Sequence, residues 1–370
     1  MARTDCIDYR KVDQATVPDN FPLPRVIDCL DTIGNSQFIS KIDLMKGYWQ
    51  VKLSKRAQEI SAFVTPNGFY ECIVMPFGMR NAASTFQRLM NLVTKDIPNC
   101  VVYLDDVVIF TNSWERHLEV LGLFFKRLKE ANLVLNLKKC DFVRGRVTYL
   151  GHQIGHGTVV PKSKNVEAIR NFPVPINKKQ IMRFLGMTGY FRRFIPNYST
   201  IASPLTNLLK KNSKFIWSKD CDTAFSHLKA VLMHNPVLNA PDFSKSFSVA
   251  VDASDSGIGG VLLQKDDNNI LHPIAYFSKK LSPCQSRYST IEKELLAIVM
   301  TLRHFEVYIG SKGTTVVLTD HNPLKFLYRV KNSNRRLMRW SLELQDYNID
   351  VQHIKGQDNV LADSLSCIYQ

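Results

Sequence analysis

Short β-forming runs that end in acids recur along this chain. The clearest spans residues 100–110, CVVYLDDVVIF, in which Val101–Tyr103 and Val107–Ile109 flank Asp105 and Asp106. Such a pattern predicts a tight hairpin with the acids at its bend. Residues 38–43, FISKID, predict another strand, ended by Asp43. Between these lie helical and turn signals. A short helix is expected over residues 25–33, closed by Gly34-Asn35, and Pro66-Asn67-Gly68 marks a turn. Residues 82–92 place Phe86, Leu89 and Met90 on one helical face. Residues 114–131 do the same for Leu118, Leu121, Phe125 and Leu128, and turn glycines with alternating apolar positions follow to about residue 154.

The second half repeats the theme after a proline-rich break at Pro173 and Pro175. Residues 181–194, IMRFLGMTGYFRRF, read as a helix with Phe184, Leu185 and Phe194 inward. Strands are expected at 247–252, ending in Asp252, at 257–263, at 274–277 and at 316–319, ending next to Asp320. Residues 290–308 contain no Gly or Pro and predict one long helix buried along Leu295, Ile298, Leu302 and Phe305. Residues 347–354 alternate, and a last helix from Asn359 carries Asp363.

Length and charge sharpen this outline. A chain of 370 residues predicts two or three domains. It has no apolar run long enough to span a membrane, and its polar start is no signal peptide. Eight cysteines are scattered without a CxxC pair, which argues against a zinc site or a disulfide framework and for a reducing compartment. Net charge is +15, and residues 161–220 hold 12 Lys or Arg against Glu167 and Asp220. A basic block with interleaved aromatics beside acid-ended strands points to a polyanionic partner.

Two adjacent carboxylates between apolar strands repel each other unless a cation joins them. Asp105 and Asp106 are thus either a solvated acidic turn or a platform for a hard divalent ion that also holds phosphate. Asp43 either caps the turn that follows it or converges on the same site, as a two-metal phosphoryl-transfer centre requires.

Six ordered stretches carry a resemblance: DYRKVDQATVPDNFPLP, KIDLMKGYWQVKL, VMPFGMRNAASTFQRLMN, VVYLDDVVIF, KCDFVRGRVTYLGHQI and FLGMTGYFRRFIPNYSTIASPL. Together they resemble the reverse transcriptase of gypsy-type (Metaviridae) long-terminal-repeat retrotransposons. The resemblance implies an α+β right-hand polymerase of fingers, palm and thumb. In it Asp43, Asp105 and Asp106 match the carboxylates that bind two Mg²⁺ (or Mn²⁺) ions. Tyr48, Phe77 and Gly78 match the deoxynucleoside triphosphate pocket. Leu150, Gly151 and His152 match the hairpin that holds the primer, and Arg183, Arg192 and Arg193 match thumb contacts to duplex phosphates. Farther on, VDASDSGIGGVLLQ, STIEKELLAI, LTDHNPL and DNVLADSLS resemble ribonuclease H, an α/β domain on a mixed five-stranded sheet. Asp252, Glu294, Asp320 and Asp363 match its metal-binding acids. Glu292 competes with Glu294, but two residues on a helix point about 200° apart, so only one faces the site.

The implied layout is truncated fingers and palm over 1–158, a basic thumb and connection over 159–239, and ribonuclease H over 240–370. The implied partners are RNA–DNA and DNA–DNA primer-templates and deoxynucleoside triphosphates, with no membrane. Location is expected to be cytoplasmic, within virus-like particles, or nuclear. The resemblance begins part-way through the fingers. Thr4 stands where the family has arginine, and Ala83 where it has proline. Two alternatives follow: a ribonuclease H whose polymerase half is inactive, and a non-catalytic nucleic-acid-binding protein of transposon origin.

Overall fold

The structure, a computed structural model, describes residues 7–234, 236–309, 313–320 and 335–354. Asp363, Thr4 and the helix expected from Asn359 lie outside them. The chain divides into two compact units, Met1–Gly157 and Thr158–Gln370.

The first unit begins with α1 (Arg10–Ala15), α2 (Val26–Ile33) and β1 (Phe38–Asp43). Next come α3 (Lys55–Ile60), the hairpin β2 (Phe63–Thr65) and β3 (Gly68–Tyr70), and α4 (Ala82–Val93). The acid-bearing hairpin is β4 (Cys100–Tyr103) and β5 (Asp106–Thr111), and α5 (Trp114–Glu130) follows. β6 (Asp141–Arg144), β7 (Arg146–Tyr149) and β8 (His152–Gly155) complete the unit, with β7 and β8 paired antiparallel. Strands β4-β5-β1-β6 form an antiparallel sheet in that order. Its inner face meets α4 and α5 around Ile42, Val107, Ile109, Phe86, Met90 and Phe124.

Helix α5 turns a different face inward from the one its apolar spacing predicts. Leu121 and Leu128 are buried as expected, but Leu118 and Phe125 are exposed, and His117, Val120 and Phe124 take the inner positions. The reason is polar. His117 Nε2 lies 2.7 Å from Ser40 Oγ, and His117 Nδ1 lies 3.0 Å from Thr111 Oγ1. Thr111 Oγ1 donates to the Ser113 carbonyl and Ser40 Oγ accepts from Val143 N. Those commitments make Nδ1 the imidazole donor and Nε2 the acceptor. A satisfied histidine therefore occupies the core, where hydrophobicity alone would place a leucine.

The second unit opens with β9 (Thr158–Pro161), α6 (Ser163–Arg170), α7 (Lys178–Tyr190), α8 (Tyr198–Ile201), α9 (Ser203–Leu208) and α10 (Lys219–Met233). Helix α7 starts three residues before its predicted start because Asn177 caps it, accepting from Gln180 N at 2.9 Å. It ends at Tyr190, and residues 192–194 form a separate 3₁₀ turn. β10 (Leu238–Asn239) pairs with β9. There follow β11 (Phe247–Ala253), β12 (Gly257–Lys265), β13 (Leu271–Lys280), α11 (Thr290–His304), α12 (Glu306–Ile309), β14 (Thr315–Thr319), α13 (Arg335–Leu344) and β15 (Ile349–His353).

These strands form the mixed five-stranded sheet, in the order β13-β12-β11-β14-β15. β11–β12 and β12–β13 are antiparallel, whereas β11–β14 and β14–β15 are parallel. Leu295, Ile298, Leu302 and Phe305 are buried as predicted, although α11 breaks at Phe305. Contact between α11 and β12 depends on Gly260, where a Cβ would stand 2.4 Å from Thr301 Cγ2. Among the described residues no helix is long and apolar enough to cross a membrane, and the described cysteines are free thiols.

Candidate active sites

In the first unit the sheet register sets Asp43 directly opposite Asp106. Asp105 occupies the β4–β5 turn, and its carbonyl accepts from Leu44 N at 3.4 Å. The three acids thus share one end of the sheet. Burial first, then the charges of Asp106 and Asp43, holds the Asp105 carboxyl above the usual carboxylate range. Lysines temper the like charges: Lys41 Nζ lies 3.3 Å from Asp106, and Lys139 Nζ lies 3.6 Å from Asp43. Leu104, just before Asp105, has φ +55°, a left-handed backbone that a leucine adopts only under constraint. The constraint is the side-chain amide of Gln87, wholly buried on α4. Its Oε1 accepts from Leu104 N at 2.7 Å and its Nε2 donates to Val102 O at 3.2 Å. Gly47 completes the support, because a Cβ there would lie 3.2 Å from both Asp105 Cβ and Phe86 Cζ.

In the second unit Asp252 lies near the end of β11, Asp320 directly follows the neighbouring parallel strand β14, and Glu294 is in the second turn of α11. Each offers one oxygen, and these oxygens all lie within 4.8 Å of one another. Glu294 is pushed up to about 8 by burial and by the charges of Asp252 and Asp320. Its Oε2 is buried and accepts no hydrogen bond. Oxygen donors so crowded, one without a donor of its own, fit a hard divalent cation. Glu292 has another task. It closes a capping box with Ser289 and binds Arg336 Nη1 at 2.7 Å, and the Arg336 guanidinium stacks 3.9 Å over Tyr288. Next to it, Lys293 reaches Asp255, in the loop after Asp252, at 2.6 Å. Among the described residues the acids of the first unit do not close to the 4.8 Å spacing seen here.

A profile of the family described as reverse transcriptase (RNA-dependent DNA polymerase) matches residues 2–154. A second, described as the RNase H-like domain found in reverse transcriptase, matches residues 242–347. The retrovirus-related Pol polyprotein from transposon 297 of Drosophila melanogaster is 41% identical over 98% of this chain and 34% of its own length. The chain thus carries a reverse transcriptase domain followed by an RNase H-like domain, and along nearly its whole length it is similar to retrovirus-related Pol polyproteins. The corresponding polyprotein from transposon 412 of the same fly is 39% identical, and the transposon Tf2-3 polyprotein of Schizosaccharomyces pombe 35%. The chain spans about a third of the length of these relatives, as does the match to transposon 297 at 34%. In fold it is similar to the foamy viral protease-reverse transcriptase. A structure of that protein with double-stranded DNA has a TM-score of 0.82 and 25% identity, covering 94% of this chain and 74% of that one. A second reaches 0.84 at 24% identity, covering 96% and 64%. The acids of the first unit thus lie within the stretch that matches reverse transcriptase, and the second cluster within the RNase H-like domain.

The remaining sequence-predicted residues divide. Tyr48 packs between Phe77, tilted against it with ring centroids 5.2 Å apart, and Phe86, edge-on at 5.4 Å, and its hydroxyl is held above its ordinary range by burial and by the Asp105 charge. Phe77 is exposed, and Gly78 has φ +98°, which favours glycine. These residues therefore share one region with Asp105. Leu150 and Gly151 form the β7–β8 turn with positive φ, but the His152 side chain is buried and its Nδ1 is 2.8 Å from the Leu150 carbonyl. His152 braces the hairpin and does not present its ring to a primer. Arg183 and Arg192 are exposed. Arg193 is not: it is buried and Nη2 donates to the Ile274 carbonyl at 3.3 Å. It joins the 3₁₀ turn to β13 rather than tracking phosphates. Sequence reasoning missed Gln87, Lys139 and Gly47. Lys41 carried a signal, since residues 41 and 43 of a strand share a face.

Proposed function

We propose that this chain is the polymerase and nuclease segment of a retrotransposon Pol polyprotein, copying RNA into DNA and cutting the RNA of the resulting hybrid. The assigned parts are fingers and palm over 1–158, thumb and connection over 159–239, and ribonuclease H over 240–370. The observation that carries the reading is the meeting of Asp252, Glu294 and Asp320 within 4.8 Å, in a chain whose other unit gathers Asp43, Asp105 and Asp106 at one sheet end.

In the palm, Asp43, Asp105 and Asp106 are the candidate carboxylates for Mg²⁺, and Gln87 and Gly47 fix the turn that aims Asp105. Tyr48 and Phe77 would face the sugar and base of a deoxynucleoside triphosphate. The nuclease acids would hold Mg²⁺ against the scissile phosphate, with Asp363 as the fourth expected ligand. Bound Mg²⁺ at either site supplies Lewis acidity to the attacking and leaving oxygens of an in-line displacement. Exposed Arg183 and Arg192 would meet duplex phosphates, contacts that position without reading sequence. The structures of the foamy viral enzyme with double-stranded DNA and with an RNA/DNA hybrid support a duplex partner of this kind.

The test uses a labelled RNA template annealed to a labelled DNA primer, with Mg²⁺ and four deoxynucleoside triphosphates. Primer extension together with RNA fragments is the expected result. Fragments without extension would reduce the assignment to a ribonuclease H. Neither would overturn it.

A further inference from the structure

The three palm acids are not equivalent in their cationic neighbours. Lys41 and Asp106 rise from adjacent strands, β1 and β5, with their side chains only 21% and 27% exposed. Lys139 approaches Asp43 from a 3₁₀ turn at Leu137–Lys139 and is 66% exposed, so water and salt screen that pair. Among the described residues no lysine or arginine forms an ion pair with Asp105, on which the charges of Asp106 and Asp43 act more strongly than that of Lys139. The strand geometry makes the Lys41–Asp106 pair durable. Lys41 sits two residues before Asp43 on the same strand face, and Asp43 faces Asp106 in register, so Lys41 reaches Asp106 along the diagonal. Like charges directly opposite each other destabilise a sheet, and a cation on the diagonal offsets them.

We propose that Lys41 is a built-in counter-cation that reserves Asp106, so that Asp43 and Asp105 carry the divalent ion and Asp106 is a positioning residue. This rests on the palm being a metal site. The geometry favours it because Lys41 is mostly buried and its strand keeps it within reach of Asp106, whereas Lys139 is largely exposed and free to turn into solvent. Removing Lys41 would return one full negative charge to the site and raise its attraction for a doubly charged ion.

The test measures Mn²⁺ binding directly, by the loss of its free electron-spin-resonance signal, on the full chain carrying Asp320→Asn and Glu294→Gln to silence the nuclease acids. Lys41→Met is expected to tighten binding by about five- to tenfold, a Coulombic order of magnitude. Lys41→Arg, which keeps the charge, should leave it unchanged. The tightening should vanish when Asp106→Asn is added, because the released carboxylate is then absent. Asp106→Asn alone leaves the Lys41 ammonium uncompensated and should weaken binding by a comparable factor, about five- to tenfold, which Lys41→Met restores; if Lys41→Met does not fold, the comparison of Asp106→Asn with a larger loss in Asp105→Asn decides the matter. Unchanged or weaker binding in Lys41→Met, or an Asp106→Asn loss as large as that of Asp105→Asn, would overturn the role of Lys41. If Asp105→Asn leaves Mn²⁺ binding intact, the palm is not the metal site and both readings fail.

Discussion

Glu292 and Glu294 are two residues apart on one helix and have opposite electrostatic lives. Glu292 is satisfied by Ser289 and Arg336, whereas Glu294 is buried with two other acids and pushed up to about 8. A carboxyl whose pKa rises on folding binds more protons folded than unfolded. Its share of stability is therefore complete below the unfolded value of 4.5 and is lost as pH rises through about 8. Glu294→Gln should accordingly raise the unfolding temperature in chelator-treated protein, and more at pH 9 than at pH 6, as followed by calorimetry. Glu292→Gln should lower it, through the lost Arg336 pair. The two activities should separate at single residues. Asp105→Asn is expected to reduce primer extension by roughly a hundredfold or more and spare hybrid cleavage, and Asp320→Asn to do the reverse. Parallel gels from one reaction check both. At this scale the acids were legible because each closes a run of β-formers. Gln87 was not, because an amide that hydrogen-bonds across fifteen residues leaves no periodic trace.

At the level of elements, the nuclease site is only as well placed as the contact between α11 and β12. Gly260→Ala would drive a methyl into Thr301, a stiff β-branched side chain, and should destabilise the second unit by about 1–3 kcal/mol. Adding Thr301→Ala should restore most of that loss in a denaturant titration. Helix α5 gives the first unit a pH limit. Burial holds the His117 pKa below its usual 6.5, so the unfolded chain takes up a proton that the folded chain refuses. Its contribution is present above 6.5 and fades as pH falls below that value. The unfolding midpoint of wild type should therefore drop between pH 7 and pH 5, and less so in His117→Phe. The same residue explains the one helix whose face was misread. Apolar residues surround α5 on several sides, and the choice among them was settled by hydroxyls on β1 and β5 that local spacing cannot register. The long α11 stripe was legible because its apolar residues occupy a single face.

Across the whole molecule the acid-ended strands of both units and the mixed five-stranded sheet of the second could be read from pattern and motif, while the strand order of the first and the fate of individual cations could not. Apart from Arg193, none of the twelve basic residues in 161–220 is buried, so that block keeps its charge on the surface. Duplex affinity should fall steeply with salt, and the double variant Arg183→Ala/Arg192→Ala should flatten the log–log slope by about 1–2, measured by fluorescence anisotropy. Arg193→Ala should instead lower thermal stability and leave the slope alone. One earlier feature matters differently in this setting. The duplex of the proposed function would carry a charge every ~1.7 Å of its axis, a field that shifts with each step. The turn before Asp105 is held by the neutral carboxamide of Gln87, so its grip does not respond to that field. On the proposed function, each step of the duplex would therefore leave the aim of Asp105 unchanged.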